Sequence, residues 1–455
     1  MEKEKNNLIY ITIGAYLLTF IASIILKVNF IILLSVAIVG VAFTLVALND
    51  EKILIISGVL ISFLYYGLKD ISGIFQYMPL YITALMIIDI LIKNKKFEDD
   101  MVLKYLISLS LVLGILPLIL NFDINITNII YALLKRYSFI IIYIYIKCSS
   151  LDYINIDQML SFILKVVLLI NLPIFVVQFI QGVDRDFICG MFGDNMTGII
   201  CQLFLIQLCI KLKDYYYEKV TTINMFAWVI ITVVYSSIAE VKFGFFVAAI
   251  FLAVFFIFIE RKLKSVIIIA VLGVLFVVGY LLYMQTYSQQ NFLDKDFVRG
   301  YLVEQNYSGD SINRFGFVKK IDNAMSSTTV DKLIGGGIGS GNPSNFKFLR
   351  GSLNRKYDSL KYYWFSIPYL YVETGFIGTT IMLLIYIYIF IISYLNFKNY
   401  NSELSLLAFL ISIVNFMFII YSDTLVNYTT LFITWAYFAL SLKEVKEGVG
   451  EEIYE

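Results

Sequence analysis

The stretch YLYVETGFIGTTIMLLIYIYIFIISYL, residues 369–395, decides the fold class of this chain. It holds a single charged residue, Glu373, and is longer than the roughly 20 apolar residues that cross a hydrocarbon core about 30 Å thick as a helix. Similar runs fill most of the 455 residues, of which 60% are hydrophobic. The sequence therefore predicts an all-α, polytopic integral membrane protein with about fourteen transmembrane helices. The predicted spans are residues 8–26, 30–48, 53–68, 75–92, 102–120, 128–147, 159–180, 196–212, 223–239, 243–259, 264–284, 369–395, 403–421 and 425–441.

Basic residues are concentrated at alternate connections between these spans, and this pattern orients the chain in the membrane. Cytoplasmic loops of membrane proteins are enriched in lysine and arginine. We therefore place the N-terminal MEKEKNN, and with it the C-terminus, in the cytoplasm. The basic residues of the inside connections and tail are then Lys52, the KNKK run at 93–96, Lys147, Lys211, Lys213, Lys219, the ERKLK run at 260–264, Lys398, Lys443 and Lys446.

The longest polar stretch, residues 285–362, falls on the outer side of this topology. A connection of that length inside a compact protein is usually functional. We expect three parts: a bundle of about eleven spans over 1–284, an extracytoplasmic loop subdomain over 285–362, and a re-entry segment with about three spans and a cytoplasmic tail over 363–455. Richness in Ile, Lys, Asn and Tyr is typical of a low-GC bacterial genome, so the expected location is a bacterial cytoplasmic membrane.

Composition excludes several classes of function. The net charge of +1 leaves no basic domain that could follow nucleic-acid phosphates. The chain has no histidine, which removes the commonest general base and the commonest metal ligand. Its four cysteines show no paired spacing, so neither a disulfide framework nor a zinc site is indicated. We expect no cofactor and no metal.

Two adjacent cations lie inside a predicted span. Lys135 and Arg136 fall in residues 128–147, and a cation at a helix centre costs about 2.5–3.5 kcal/mol on insertion scales. Neighbours on a helix are about 100° apart, so both can hardly face one point. Two interpretations stay open. Either one side chain snorkels to the outer headgroups while the other pairs internally, or the two belong to an anion site that opens outward.

Three further cations occur in separate segments on the same predicted side. They are Arg185 in VDRDFICGMFGDN, Lys242 in YSSIAEVKFG, and Arg314 in SINRFGFVKKIDNA. Each alone is more often an ordinary surface residue. If four or five cations met in one outer cavity, they would form a pocket suited to a phosphate or pyrophosphate.

The glycine-rich run GGGIGSGN, residues 335–342, is not a nucleotide-binding loop, because no Lys-Ser or Lys-Thr follows the glycines. Glycines such as Gly337 and Gly339 allow turns with positive φ and close backbone approach. The turn either contacts a ligand or is purely structural.

Taken in order, these elements resemble the polysaccharide polymerase and O-antigen ligase superfamily, the Wzy-type polymerases in particular. The segment CGMFGDNMTGII at 189–200, with Asn195, resembles that family's G-x-F-x-x-N phrase. YSSIAEVKFGFF at 235–246 resembles its S-x-S-R segment, with Lys242 at the arginine position. NRFGFV and KLIGGGIGSG resemble its arginine helix and glycine turn, and WFSIPYLYVETGFIG at 364–378 resembles the run H-N-x-x-L-x-x-x-x-E-x-G-x-x-G.

One departure from the family pattern separates its branches. Where ligases carry histidine this chain has Trp364, so the resemblance favours the polymerase branch. It implies a GT-C-like membrane glycosyltransferase that joins undecaprenyl-pyrophosphate-linked oligosaccharide repeat units at the outer membrane face. The donor and the acceptor would both be lipid-linked, membrane lipid would be a further partner, and a chain-length regulator stays open as another. A lipid-linked oligosaccharide flippase or other transporter, and a ligase-type transferase, are the alternatives.

The residues also suggest how such a transfer would proceed. Cations in a dry cavity would stabilise the departing pyrophosphate, so no metal is required. Lys135, Arg136, Arg185, Asn195, Lys242, Arg314, Gly337 and Gly339 are the candidate substrate-binding residues. Without histidine, a base for the acceptor hydroxyl must be a carboxylate, or none is used. Glu373 is the first candidate, Glu240 the second and Asp358 the third, although Glu373 is equally typical of a helix-packing residue.

Overall fold

The fold is seen in a computed structural model, which describes residues 43–260 and 311–452 apart from 70, 74, 96–99, 121–124, 240, 326–327 and 345, together with single positions between 268 and 299. The predicted span 8–26, most of 30–48, most of 264–284 and most of the outer-loop residues 285–310 lie outside the described residues.

The described part of the chain is built from helices and short turns, without a strand. The long helices are α1 (Glu51–Leu68), α2 (Met78–Ile92), α3 (Met101–Leu120), α4 (Ile126–Arg136), α5 (Ser138–Lys147), α6 (Tyr153–Ile180), α7 (Thr197–Tyr216), α8 (Thr222–Ile238) and α9 (Lys242–Val254), which continues as a π-helical turn, Phe255–Glu260. Three short helices follow: α10 (Phe317–Met325), α11 (Thr329–Ile334) and α12 (Ser352–Tyr357). The last three are α13 (Ser366–Tyr400), α14 (Glu403–Phe418) and α15 (Tyr428–Glu452).

Several of these helices could cross a membrane. In the described part of the chain, five are long and apolar enough, and a sixth span is formed if α4 and α5 are taken together. That pair was predicted as one span over 128–147, and the structure shows two helices that bend by 48° next to Arg136. An all-helical membrane protein is therefore the fold class, while the total of about fourteen spans stays a prediction.

The centre of the bundle is apolar and aromatic. α15 packs against α5, α14 and α1, and its Trp435 is fully buried. The indole ring is stacked on Phe139 of α5, with the ring centroids 4.4 Å apart. α7 is buried along nearly its whole length between α8, α14 and α6. Close aromatic packing of this kind supplies dispersion contacts that hold helices together in lipid, where burial from water does not act between them.

Several of the connections that we predicted to be cytoplasmic, among those that the structure describes, meet at one end of the bundle. Glu51 at the start of α1 pairs with Lys95 (2.7 Å) and accepts a hydrogen bond from Ser149 after α5 (2.9 Å). Lys443 of α15 donates to the carbonyl of the same Ser149 (2.8 Å). The connection between α13 and α14 also lies here, since the Asn401 carbonyl accepts from Tyr217 at the end of α7 (2.7 Å). We call this the lysine-rich end.

At the opposite end a strap, residues 182–196, links α6 to α7 and crosses α1. A Cβ atom on Gly193 would lie 2.7 Å from the Cα of Gly67, so both positions need glycine for the backbones to touch. Phe192 is buried edge-to-face on Phe63 of α1 at 6.2 Å. Gly190 N–H donates to Gln178 of α6 (2.9 Å). The strap is thus fixed to two helices.

A break in α13 anchors the glycine-rich run against the bundle. Gly375 has φ +61°, which interrupts the helical hydrogen-bond ladder. The carbonyls of Val372 and Glu373, just before the break, accept from the N–H groups of Gly336 (3.0 Å) and Gly337 (2.7 Å). The turn is held on its other side by α3, because Ile338 N–H donates to the carbonyl of Gly114 (2.8 Å).

The two ends of the bundle provide a test of the predicted orientation. In a variant lacking the four native cysteines, Gln181→Cys and Asn399→Cys place single exposed thiols at the opposite and lysine-rich ends respectively. Because inside loops are enriched in lysine, we expect an impermeant thiol reagent added to whole cells to label residue 181 but not residue 399. Permeabilised cells should label at both. Labelling of both in intact cells would contradict the two-ended topology.

Candidate functional site

A cavity of about 1240 Å³ lies at the end opposite the lysine-rich one. Its walls come from the C-terminal end of α1, the start of α2, α4, the strap, the start of α7, residues 363–369, and the turn 421–428 between α14 and α15. Ligand sites for small molecules usually have about 300–1,000 Å³. This cavity therefore has room for a ligand larger than a monosaccharide.

Cations from four different segments line the cavity. Lys135 projects from α4, Arg185 from the strap, Arg314 from the segment before α10, and Lys69 from the end of α1. Arg314 is buried, with its guanidinium carbon 4.6 Å from the ring centroid of Tyr421. Lys69 was not among our candidates. The carboxylates on the described walls are those of Asp184, Asp186 and Asp423.

Asn195, the asparagine of the resemblance motif, also lines the cavity. Its φ of +62° is a left-handed conformation that asparagine tolerates better than most residues. Its N–H donates to the carbonyl of Asp186 across the strap (3.1 Å), which fixes the turn before α7. The same turn therefore presents Arg185 and Asn195 on one wall.

Aromatic side chains make up much of the remaining wall. The rings of Tyr65, Tyr66, Tyr131, Tyr363, Trp364, Phe365, Tyr369, Tyr421 and Tyr428 line the cavity. Trp364 is 42% exposed, which is unusual for a tryptophan in a core. A cavity with cations and aromatic faces can hold a ligand that is anionic at one end and has flat, weakly polar surfaces elsewhere.

Arg136 and Glu373 lie behind the cavity rather than in it, contrary to our expectation. The two side chains form a buried ion pair, with Glu373 only 1% exposed. The other carboxylate oxygen of Glu373 accepts from the N–H of Gly339 (3.1 Å). Because α4 bends beside Arg136, its guanidinium points into the helix packing, 4.3 Å from the ring of Tyr369, while Lys135 faces the cavity.

Gly337 and Gly339 also do not line the cavity. A Cβ atom on Gly337 would lie 2.5 Å from the side chain of Leu118, and one on Gly339 would lie 3.0 Å from Ala132. The Gly339 carbonyl accepts from Asn128 (2.8 Å). These contacts join the glycine turn to α3 and α4. They favour the structural interpretation of this run over a turn that contacts a ligand.

The remaining candidates take different places. Glu240 and the Lys242 side chain lie outside the described residues. Asp358 does not line the cavity; it pairs with Lys361 (2.7 Å) and accepts from Tyr363 (3.1 Å). Burial alone would raise the pKa of Asp358, but these hydrogen bonds outweigh it and lower the pKa. A carboxyl with a lowered pKa is a weaker base.

Asp423 is the residue that the sequence analysis missed. It lies in the turn 419–427, lines the cavity and is half-buried. Burial raises its pKa to about 6, although a hydrogen bond from Asn427 and the charge of Lys135 act in the opposite direction. The available signal was an acid within YSDTLVNYTT, a polar break between two apolar runs.

Comparisons with family models, with curated proteins and with solved structures find no match. The functional argument for this chain therefore rests on its residues and their geometry.

The Arg136–Glu373 pair predicts a double-mutant result. Removing one partner of a buried ion pair leaves an uncompensated charge and costs about 3–5 kcal/mol, whereas replacing both by apolar residues is often close to neutral. We expect Glu373→Leu and Arg136→Met each to lower the unfolding temperature of the purified protein strongly. The double variant Arg136→Met/Glu373→Leu should recover most of the loss. Additive losses in the double variant would show that the pair is not the source of the effect.

Proposed function

We propose that this chain is a membrane glycosyltransferase that polymerises undecaprenyl-pyrophosphate-linked oligosaccharide repeat units at the outer face of a bacterial cytoplasmic membrane, without a metal ion. The proposal includes both termini in the cytoplasm. Its main support is one observation: Lys135, Arg185 and Arg314, from three separate segments, line a single cavity at the end away from the lysine-rich connections.

The cations suit the pyrophosphate of a lipid-linked donor. Glycosyl transfer breaks the bond between the anomeric carbon of the donor and its pyrophosphate, so negative charge develops on the departing group. Positive side chains that are already in place stabilise that charge at little reorganisation cost. The Lys135 ammonium lies 5.9 Å from the ring centroid of Tyr131 and the Arg314 guanidinium carbon lies 4.6 Å from that of Tyr421, so both cations are positioned by aromatic rings of the cavity wall.

The size and aromatic walls of the cavity suit the sugars. A donor glycan and an acceptor repeat unit must both enter, and the cavity of about 1240 Å³ exceeds the space that one small ligand needs. Rings such as Trp364, Tyr363 and Tyr421 present faces on which the apolar side of a sugar ring can lie. A site at one end of the bundle also differs from the midplane site typical of secondary transporters.

Polymer formation by the purified protein tests the proposal. Reconstituted in liposomes with lipid-linked repeat units extracted from cells that carry the gene, the protein should yield a ladder of products on gels. Arg314→Ala should abolish the ladder, because it removes a buried cation from the cavity, whereas the exposed Lys319→Ala in α10 should leave it intact. Movement of the lipid-linked unit across the bilayer without any ladder would favour a transporter instead.

Binding can be followed separately through Trp364. The other two tryptophans, Trp228 and Trp435, are 5% and 0% exposed, so added acrylamide should quench mainly Trp364. Undecaprenyl pyrophosphate is expected to protect Trp364 from quenching, and Trp364→Phe should remove the signal. Arg314→Ala should weaken this binding about 10-fold to 100-fold, the range expected for a lost contact between charged groups worth about 1.5–3 kcal/mol. Unchanged protection in Arg314→Ala would contradict the assigned pyrophosphate site.

A further inference from the structure

We infer that Asp423 is the general base that removes the proton from the acceptor hydroxyl in this site. The inference rests on the proposed glycosyl transfer and adds a residue that the sequence pattern did not indicate. It stands on the position of Asp423 in the wall of the cavity that Lys135, Arg185 and Arg314 also line.

The carboxylate of Asp423 is available to a ligand. It is half-buried on the cavity wall, and its Oδ2 accepts from Asn427 (3.2 Å). No ion pair in the described part of the chain involves it. Glu373, by contrast, has both oxygens engaged, one by Arg136 and one by the N–H of Gly339.

The turn that carries Asp423 is held rigidly on both sides. The carbonyl of Ser422 accepts from the Ser366 hydroxyl (2.9 Å), and that hydroxyl oxygen accepts from the N–H of Leu425 (2.9 Å). Thr424 donates to Gln202 of α7 (3.0 Å). These bonds tie the turn to α13 and α7, so the Asp423 backbone has little freedom. A catalytic group held by such surrounding bonds needs no reorganisation when the substrate enters.

The proposed step balances without another reactant. The acceptor hydroxyl oxygen attacks the anomeric carbon of the donor, and a new glycosidic C–O bond forms. The bond between that carbon and the pyrophosphate oxygen breaks, and its electron pair leaves with undecaprenyl pyrophosphate. The hydroxyl proton passes to the Asp423 carboxylate, which later releases it to water. The cations Lys135, Arg185 and Arg314 stay with the departing pyrophosphate.

The environment of Asp423 gives the step a pH dependence. The charged or titratable groups that line the cavity with it are Tyr65, Tyr66 and Lys69 at the end of α1, Tyr131 and Lys135 of α4, Asp184, Arg185 and Asp186 of the strap, Arg314, Tyr363, Tyr369, Tyr421, and Tyr428 of α15. An aspartate in water titrates at about pH 4, and the chain has no histidine, so a decline near pH 6 would distinguish Asp423 from an ordinary carboxylate. Because the pKa of Asp423 is raised to about 6, its base form is lost as the pH falls through that value.

Kinetics of Asp423→Asn test the inference in the reconstituted polymerisation assay. Removing a general base lowers rates by about 100-fold to 10,000-fold, so polymer formation should fall within that range. Protection of Trp364 by undecaprenyl pyrophosphate should be unchanged, because the binding cations remain. An exposed acid away from the cavity is the matched control: Glu447→Gln in α15 should keep the wild-type rate.

The pH profile distinguishes a base from a structural residue. The wild-type rate should decline below about pH 6, and the residual rate of Asp423→Asn should lack that decline. Lys135→Met removes a charge that lowers the pKa of Asp423, so it should shift the decline to higher pH. Asp423→Asn should also unfold at the same or a higher temperature at neutral pH, since the folded state no longer holds a half-buried charge.

Each contrary outcome is distinct. A ladder at the wild-type rate from Asp423→Asn would overturn the base assignment and leave the polymerase proposal standing. A lost ladder together with lost Trp364 protection would also overturn it, because Asp423 would then serve binding or folding. If the wild-type protein itself makes no ladder, the polymerase proposal and the base assignment both fail.

Discussion

A buried ion pair between Arg136 and Glu373 is the contact on which the rest of the site depends. It joins the bend between α4 and α5 to the first part of α13, and the N–H of Gly339 adds the glycine turn to the same carboxylate. A charge pair out of water stabilises only when its geometry and extra hydrogen bonds offset desolvation. Because Lys135 and Tyr369 sit beside this pair and face the cavity, the pair also fixes the back wall of the site.

Charged side chains are arranged differently at the two ends of the bundle. At the lysine-rich end, lysines are matched by acids: Lys95 contacts both Glu51 and Asp89, and Lys213 contacts Asp157. Such matched pairs close the helix ends and leave little field outside. At the cavity end, Lys135 and Arg314 lie over aromatic rings and line the cavity. Cations on the wall of a cavity can contact an anion that enters it.

The sequence predicted the helices well and the site only partly, for physical reasons. Apolar length is a local property, so spans such as 53–68 and 102–120 agree with α1 and α3. Cavity residues depend on which polar segments meet, and the lysine pattern placed Arg185 and Arg314 at the same end. The sequence did not predict the roles of Glu373 and Gly339. A glutamate shortly before a glycine is found both at the outer end of a transmembrane helix and in the contact between packed helices. Asp423 was overlooked because its segment carries no cation nearby in sequence; Lys135 reaches it only in three dimensions.

Separate groups for charge stabilisation and proton removal resolve a conflict in such a site. Cations that hold pyrophosphate also lower the pKa of any nearby carboxylate and weaken it as a base. Burial of Asp423 acts in the opposite direction and raises its pKa to about 6. At neutral pH the carboxylate is therefore ionised, and it is a stronger base than a carboxylate with an ordinary pKa of about 4. Glu373 is not available to a substrate, because its carboxylate oxygens are engaged by Arg136 and by the N–H of Gly339. A turn between two helices, rather than a helix interior, is therefore the better place for the base in a chain without histidine.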